Sequence, residues 1–313
     1  MAGTARAVGI AAPGGAEQLR VVERPVRDPG QGEVRLAVRA AAVNPTDIVL
    51  RERGAEDLEP PWVPGMDAAG VVESVGSGVD RLAVGDAVMA AVSPGRPEGG
   101  AQAELIVVPA ASVVPIPVGA TLEQAATLPM NGLTALQGLE LLDLREGQTL
   151  AVSGGAGLLA SYAIPLAKLR GLRVLADAKP EDEALVRGFG ADVVVPRGAG
   201  FAAAVREAAP GGADGLFDTA LLGRSAFAPI RDGGALAVVR GWRDGESERG
   251  IRIEQVWVRT VLERTDWLEQ LRELASQGTL QLRVAATFSP EDAADAHRLM
   301  EAGGIRGRAV IVF

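Results

Sequence analysis

From about residue 119 the chain repeats one order, a short apolar run followed by a stretch of helical spacing, and that order leaves few folds open. It reads "TLAVSG", a helix to Arg170, "LRVLAD", a helix "PEDEALVRGFG", "ADVVVP", a helix "FAAAVREAAP", "GLFDTA" and "ALAVVRG". Strands alternating with helices of about 10–15 residues imply βαβ crossovers, and so a parallel sheet covered on both faces. The residues before it read differently. "EVRLAVRAAAV", "AAGVVESVG", "DAVMAAV" and "AELIVVP" are short strands separated by "DPGQG", "VPGMD" and "SPGRPEGG", a pattern of an irregular β-barrel. The fold class is therefore α/β, with one domain over 1–118 and 262–313 and another over 119–261. The final strand, "RAVIVF", is expected to return to the first domain.

The first βα turn of the alternating half, "SGGAGLLASYAIPLAK" (153–168), carries the chemistry. Gly154, Gly157 and Ala160 make G-x-x-G-x-x-A, one step looser than G-x-G-x-x-G. Such a turn lets backbone approach a dinucleotide's pyrophosphate, and the following helix offers unpaired N–H groups and a positive dipole end. Ser153, Gly154, Ala156, Gly157, Leu158 and Leu159 are the residues placed there. A glycine-rich strand–helix turn with no ligand is the competing reading. Leu158 stands where backbone must reach the phosphate, so looser binding is expected, relieved by Leu158→Gly. Pro165 removes one helical hydrogen bond and predicts a kink.

The next strand ends Ala176-Asp177-Ala178-Lys179. An acidic residue at this strand end binds the ribose hydroxyls of NAD, but Asp177 falls one residue early and alternation turns it to the other face. Lys179 and, one strand later, Arg197 can hold a 2′-phosphate instead, or stand as solvated loop cations. NADPH is favoured over NADH. Thr219 and Ala220 end the fourth strand, and Arg240, Gly241 and Trp242 the fifth, along the edge where such a cofactor lies.

Composition removes several alternatives. There is no cysteine and a single histidine, His297, so a zinc site of Cys and His is excluded, as are disulfides. A formal charge of −9, with scattered arginines, argues against nucleic acid or an anionic membrane as partner. Apolar runs are too short to span a bilayer, and "MAGTARAVGIAAPGG" has no signal-peptide pattern. A cytoplasmic protein is expected.

"GGAEQLRVVERPVRDPGQGEVRLAVRAAAVNPTD", "VPGMDAAGVVESVGSGVDRLAVGDAV", "GGAQAELIVVPAASVVPIP", "EQAATLPMNGLTAL" and "IRGRAVIVF", in order along the chain, resemble the zinc-independent medium-chain dehydrogenase/reductases, in their quinone oxidoreductase-like branch. The resemblance implies a GroES-like barrel, a Rossmann domain, NADPH and a homodimer, and "IRIEQVWV" is a strand that can pair with its copy. Zinc-dependent relatives use Cys and His-Glu ligands; here the matching region reads Gly65-Met66-Asp67. Without a metal to polarise a simple ketone, a conjugated acceptor is easier, so hydride transfer to a quinone or α,β-unsaturated carbonyl is implied. The alternative is a non-catalytic NADPH-binding sensor or structural protein. By the same resemblance Asn44 lies beside the nicotinamide and donates to the substrate oxygen, or else forms the turn before Pro45. Asp47 is read as a helix cap, and Thr134 as a cofactor contact. Val49 stands where relatives often have a tyrosine. Arg240 replaces a glycine, and either holds an anionic group or developing oxyanion or joins a salt bridge.

Overall fold

Strand Glu33–Ala42 organises the first half of the molecule through a two-residue period: Val34, Leu36, Val38 and Ala40 are buried while the residues between the first three are less so. Asp67–Val75 pairs antiparallel along one edge. The other edge is shared, Leu105–Pro109 taking Glu33–Ala37 and the last strand, Arg308–Val312, taking Ala40–Ala42. Register shifts at Arg35/Leu36 and Val38/Ala40 let the strand bend. Val34, Leu36, Val72, Val88, Ile106 and Val113 form one buried cluster, each worth about 1.5–3 kcal/mol of transfer free energy.

The computed structural model describes residues 3–313. They fall into two units, the chain up to Met130 with Leu262–Phe313, and Asn131–Val261. The division lies inside helix Pro129–Leu142, later than the 118/119 boundary read from the change of period. Residues 119–130 sit with the first unit because helix Leu122–Ala125 packs on strands Glu33–Ala42 and Asp67–Val75. Residues 121–142 contain two helices, Leu122–Ala125 and Pro129–Leu142. Thr121 caps the first through a reciprocal pair with Gln124. Pro129 then forces a new start, since the residue before a proline is pushed out of helical backbone.

The second unit is a six-stranded parallel sheet in the order Val193–Pro196, Arg173–Ala178, Thr149–Ser153, Ala213–Asp218, Ile230–Val239, Arg252–Val256. The chain winds outward one way from Thr149–Ser153, then crosses to Ala213–Asp218 and winds the other way. That reversal creates the switch point at which open α/β sheets bind ligands. Helix Leu158–Leu169 runs through Pro165 as one element. Among the described residues no helix is long and apolar enough to cross a membrane.

Gly138 shows how closely helix and sheet meet in this unit. A Cβ there would lie 2.3 Å from Cζ of Phe217, itself fully buried. Alanine should gain about 1 kcal/mol in helix propensity, yet overpacking costs about 1–3 kcal/mol. Gly138→Ala is expected to lower the urea midpoint with an unchanged slope. A raised midpoint would show that Phe217 yields freely.

Candidate active site

Because the six strands are parallel, all their carboxyl ends lie on one edge of the sheet, and most of the residues singled out in the sequence gather there. Ser153 and the turn follow the third strand in spatial order, Lys179 and Arg197 follow the two on one side, and Thr219, Ala220 and Arg240–Trp242 follow the nearer two of the three on the other. Thr134 is buried on helix Pro129–Leu142. Asn44 belongs to the first unit.

The turn is built on two glycines, and they are not the pair read from the motif. Gly154 has φ +71° and a Cβ there would stand 2.8 Å from Thr219 Oγ1. Gly155 lies against the next strand, where a Cβ would stand 2.4 Å from the carbonyl oxygen of Asp177. Gly157, by contrast, has ordinary extended backbone and serves as the N-cap of helix Leu158–Leu169. The first-turn amides of that helix have no intrahelical acceptor by geometry, so the fit to a phosphate rests on this cradle and on glycines that no larger residue can replace. Leu158 is 2% exposed. Its side chain is packed away, which removes the reason to expect steric relief from glycine. Leu158→Ala should instead cost about 2–5 kcal/mol of stability, read as a lowered thermal midpoint, with no gain in NADPH affinity.

Asp177 also departs from expectation. It points to the turn and not away from it, with Oδ1 accepting the Gly155 amide at 2.8 Å and Oδ2 lying 3.5 Å from Arg197. Burial raises its pKa, opposed by the Gly155 amide and Arg197. The carboxylate is thus spent on holding the turn. Lys179 is more exposed than Arg197 and lies 3.9 Å from Glu181.

On the other side of the turn, Ser153 and Asp218 end neighbouring strands in register. Ser153 Oγ donates to Asp218 Oδ1 at 2.6 Å and accepts the amides of Thr219 and Ala220 at 3.0 and 3.2 Å. Thr219 Oγ1 donates to the Ser153 carbonyl at 2.6 Å, and Asp218 Oδ2 accepts the Leu222 amide at 2.7 Å. Ser153 is therefore a structural tie. Asp218 was missed in the sequence, although a carboxylate ending a strand opposite a serine was a usable signal.

Arg240 follows Ile230–Val239 with φ +67° and is exposed. Its guanidinium has no hydrogen-bond or ion-pair partner among the described residues, so the salt-bridge reading falls. The next residues are braced: the Trp242 amide donates to Gln255 Oε1 at 3.1 Å, its indole N–H to the Gly245 carbonyl at 2.7 Å, and its ring meets Phe227 edge-on at 5.3 Å. A cavity of about 270 Å³ opens at the opposite, amino edge of the sheet, lined by Arg145, Asp214, Arg231 and Arg252 among others. Asp214 there already accepts from Arg231, Gln148 and Thr149, and that end is the wrong one for a switch-point ligand.

In the first unit, Asn44 heads helix Pro45–Arg53 and is fully buried. Its amide N–H donates to Asp47 Oδ2 at 2.7 Å, so Asp47 caps the helix as read. Its side chain is held at both ends, Nδ2 donating to Asp67 Oδ2 at 2.7 Å and Oδ1 accepting from Arg308 Nε at 2.8 Å. One of the two Nδ2 hydrogens is thus committed to Asp67. Asp47 also accepts the Gly65 amide and Asp67 the Met130 amide. Arg308 gave no signal in sequence, where a charge next to the last strand looks superficial.

Burial pushes Asp47 and Asp67 up to about 7, against these N–H donors and Arg308. A carboxyl raised above its ordinary 3.8 keeps a proton that the unfolded chain has released. Its stabilising contribution is complete below that ordinary value and is lost as pH rises to about 7. His297, fully buried beside Arg51 and pushed down to about 3 by burial, acts in the opposite sense but is common to both proteins in a comparison. The stability difference between wild type and Asp67→Asn is therefore expected to shift against wild type, by on the order of 2 kcal/mol, between about pH 5 and pH 8. Urea unfolding at both pH values measures it; a difference independent of pH would show that Asp67 does not take up the proton.

Comparison with known proteins agrees with this geometry. Residues 30–118 match the alcohol dehydrogenase GroES-like domain and residues 189–311 the zinc-binding dehydrogenase domain. The chain is 35% identical over 191 residues to a chloroplastic quinone-oxidoreductase homolog of Spinacia oleracea, an alignment covering 58% of this chain and 57% of that protein. It thus spans little over half the length of that relative. It is 32% identical over 291 residues to a chloroplastic NADPH-dependent alkenal/one oxidoreductase of Arabidopsis thaliana, covering 90% of this chain and 72% of that one. Among solved structures, an NAD-dependent alcohol dehydrogenase superposes with a TM-score of 0.86 at 30% identity, covering 98% of this chain and 99% of the other. Among the described residues no group of three or more His, Cys, Asp or Glu is placed to hold a metal.

Proposed function

This chain belongs to the medium-chain dehydrogenase/reductase family, in its quinone oxidoreductase-like branch, and from that premise we propose that it reduces a quinone or α,β-unsaturated carbonyl with NADPH and without a metal. The observation that carries the reading is the turn Gly154–Gly157, in which Gly154 and Gly155 leave no room for a larger residue and whose helix begins at the switch point of the sheet. NADPH, when bound, supplies the hydride. The amides of the first turn of helix Leu158–Leu169 hold its pyrophosphate. Thr219, Ala220 and Gly241 border the cofactor along the adjoining strand ends, and Thr134 faces it from helix Pro129–Leu142.

Preference for the 2′-phosphate follows from Asp177. The carboxylate that would take ribose hydroxyls in an NAD enzyme is already bonded to Gly155 and turned toward Arg197. Arg197 and Lys179 remain as the cations at that strand end. The solved NAD-dependent relative and the NADPH-dependent plant relative differ on this point, and the use made of Asp177 favours the second. Absence of cysteine and the burial of His297 against Arg51 support metal independence. An acceptor conjugated to its carbonyl suits such a site, because charge moves to oxygen as the β-carbon is reduced. Asn44 acts through position: fixed by Asp67 and Arg308, it sets the backbone from Val43 into helix Pro45–Arg53. Strand Arg252–Val256 ends the sheet and Trp257 beside it is exposed, which supports a homodimer built on that edge.

Oxidation of NADPH in the presence of a panel of enones and quinones tests the reading. Turnover is expected with NADPH well above that with NADH. Tight NADPH binding with no turnover on any acceptor would overturn it in favour of a non-catalytic binder. Arg197→Ala should weaken NADPH binding about tenfold and leave NADH unchanged, measured by titration of cofactor fluorescence; equal losses for both would place Arg197 outside the phosphate site.

A further inference from the structure

Two non-glycine residues at the carboxyl edge of the parallel sheet have left-handed backbone. Leu221, φ 59°, follows the end of Ala213–Asp218, and Arg240, φ 67°, directly follows Ile230–Val239. Such backbone is costly for both residue types, and it persists only where the surroundings impose it. Here they do. Asp218 accepts the amides of Ala220 and Leu222, and Gln255 and Phe227 hold Trp242. The two strands pair Asp218 with Val238, so Leu221 and Arg240 leave neighbouring strand ends, and both side chains are exposed. An apolar group and a guanidinium are thus held out at the ligand-binding edge.

Arg224, after the neighbouring strand, pairs with Glu248, whereas the guanidiniums of Arg240 and of Arg243 three residues on have no partner among the described residues. In a chain of formal charge −9, an unneutralised cation at that edge is a local attractor for anions. The residues proposed above for the cofactor's phosphates lie elsewhere. Ile230–Val239 is two strands from the one that carries the glycine turn, about 10 Å, and three from the one that leads to Lys179, about 15 Å. That leaves the acceptor end.

We propose that Arg240 binds a carboxylate on the acceptor, whose apolar body lies along Leu221, so that the substrates are acidic enones or quinones and not neutral ones. The assignment rests on the reductase reading above. Arg240 presents a planar donor pair suited to a carboxylate. No bond is made or broken by Arg240; it selects and orients.

The test compares the para-carboxylate of benzalacetone with its methyl ester. For wild type, kcat/KM should favour the acid; in Arg240→Gln it should fall at least about tenfold for the acid and less than about twofold for the ester. Arg240→Lys should recover part of the loss, and Arg240→Gly, which relieves the backbone, should melt no lower than wild type. A readout without turnover separates this inference from its premise: calorimetric titration of the saturated acid and ester into protein with NADP⁺. Binding of the acid about tenfold weaker in Arg240→Gln, with the ester unchanged, supports the inference. Equal acid binding in both proteins, or none in wild type, overturns it even where neutral enones are reduced. Failure to reduce any enone, with acid binding still dependent on Arg240, would instead overturn the reductase reading.

Discussion

The hydrogen bond from Ser153 Oγ to Asp218 Oδ1, 2.6 Å and buried, is the contact on which the carboxyl edge of the sheet depends. The two strands it joins are the ones between which the chain reverses its winding, and they stay paired to their last residues, Ser153 and Asp218. A single hydroxyl accepts two amides from the far strand while its donor hydrogen goes to the carboxylate. Asp218 then fixes the amide of Leu222. The start of the glycine turn and the loop after the fourth strand are thereby one rigid piece. Buried polar networks of this kind hold geometry well only when every member is satisfied.

The same economy appears in the first unit. Asn44 and Asp47, Asp67, and Arg308 come from three separate stretches of chain and are buried together. Each carboxylate takes N–H donors from elsewhere, so removing any member strands a polar group away from water. The oxygens of Asp67 accept from the Met130 amide and Asn44 Nδ2. The residue supports backbone around the helix start. Strain is stored on the other unit, at Leu221 and Arg240, where exposed side chains are held in backbone that glycine would adopt without cost.

Much of this was legible in the sequence because it follows from periodicity. The parallel sheet came from apolar runs alternating with helical spacing, and the turn from its glycines between a strand and a helix. The return of the last strand was expected and is seen against Ala40–Ala42. Errors arose where the deciding atoms are far apart in sequence. Gly155 looked incidental until the backbone of Asp177 was found against it. Asp177 was assigned to the wrong face because strand alternation says nothing about a carboxylate bending back to an amide. Leu158 read as a steric intrusion, yet it is buried.

By itself the sequence determined the fold class, the position of the glycine turn and the absence of cysteine, since these depend on local period, spacing and composition. Only the tertiary structure decided which groups are already occupied. Asn44, read as a substrate donor or a turn former, and Asp177, read as facing away from the turn, are both held by hydrogen bonds; Arg240, read as an anion site or a salt-bridge member, has no partner among the described residues. The physical reason is that hydrogen-bond satisfaction is a property of neighbours in space, and those neighbours come from strands and loops that the chain brings together only on folding.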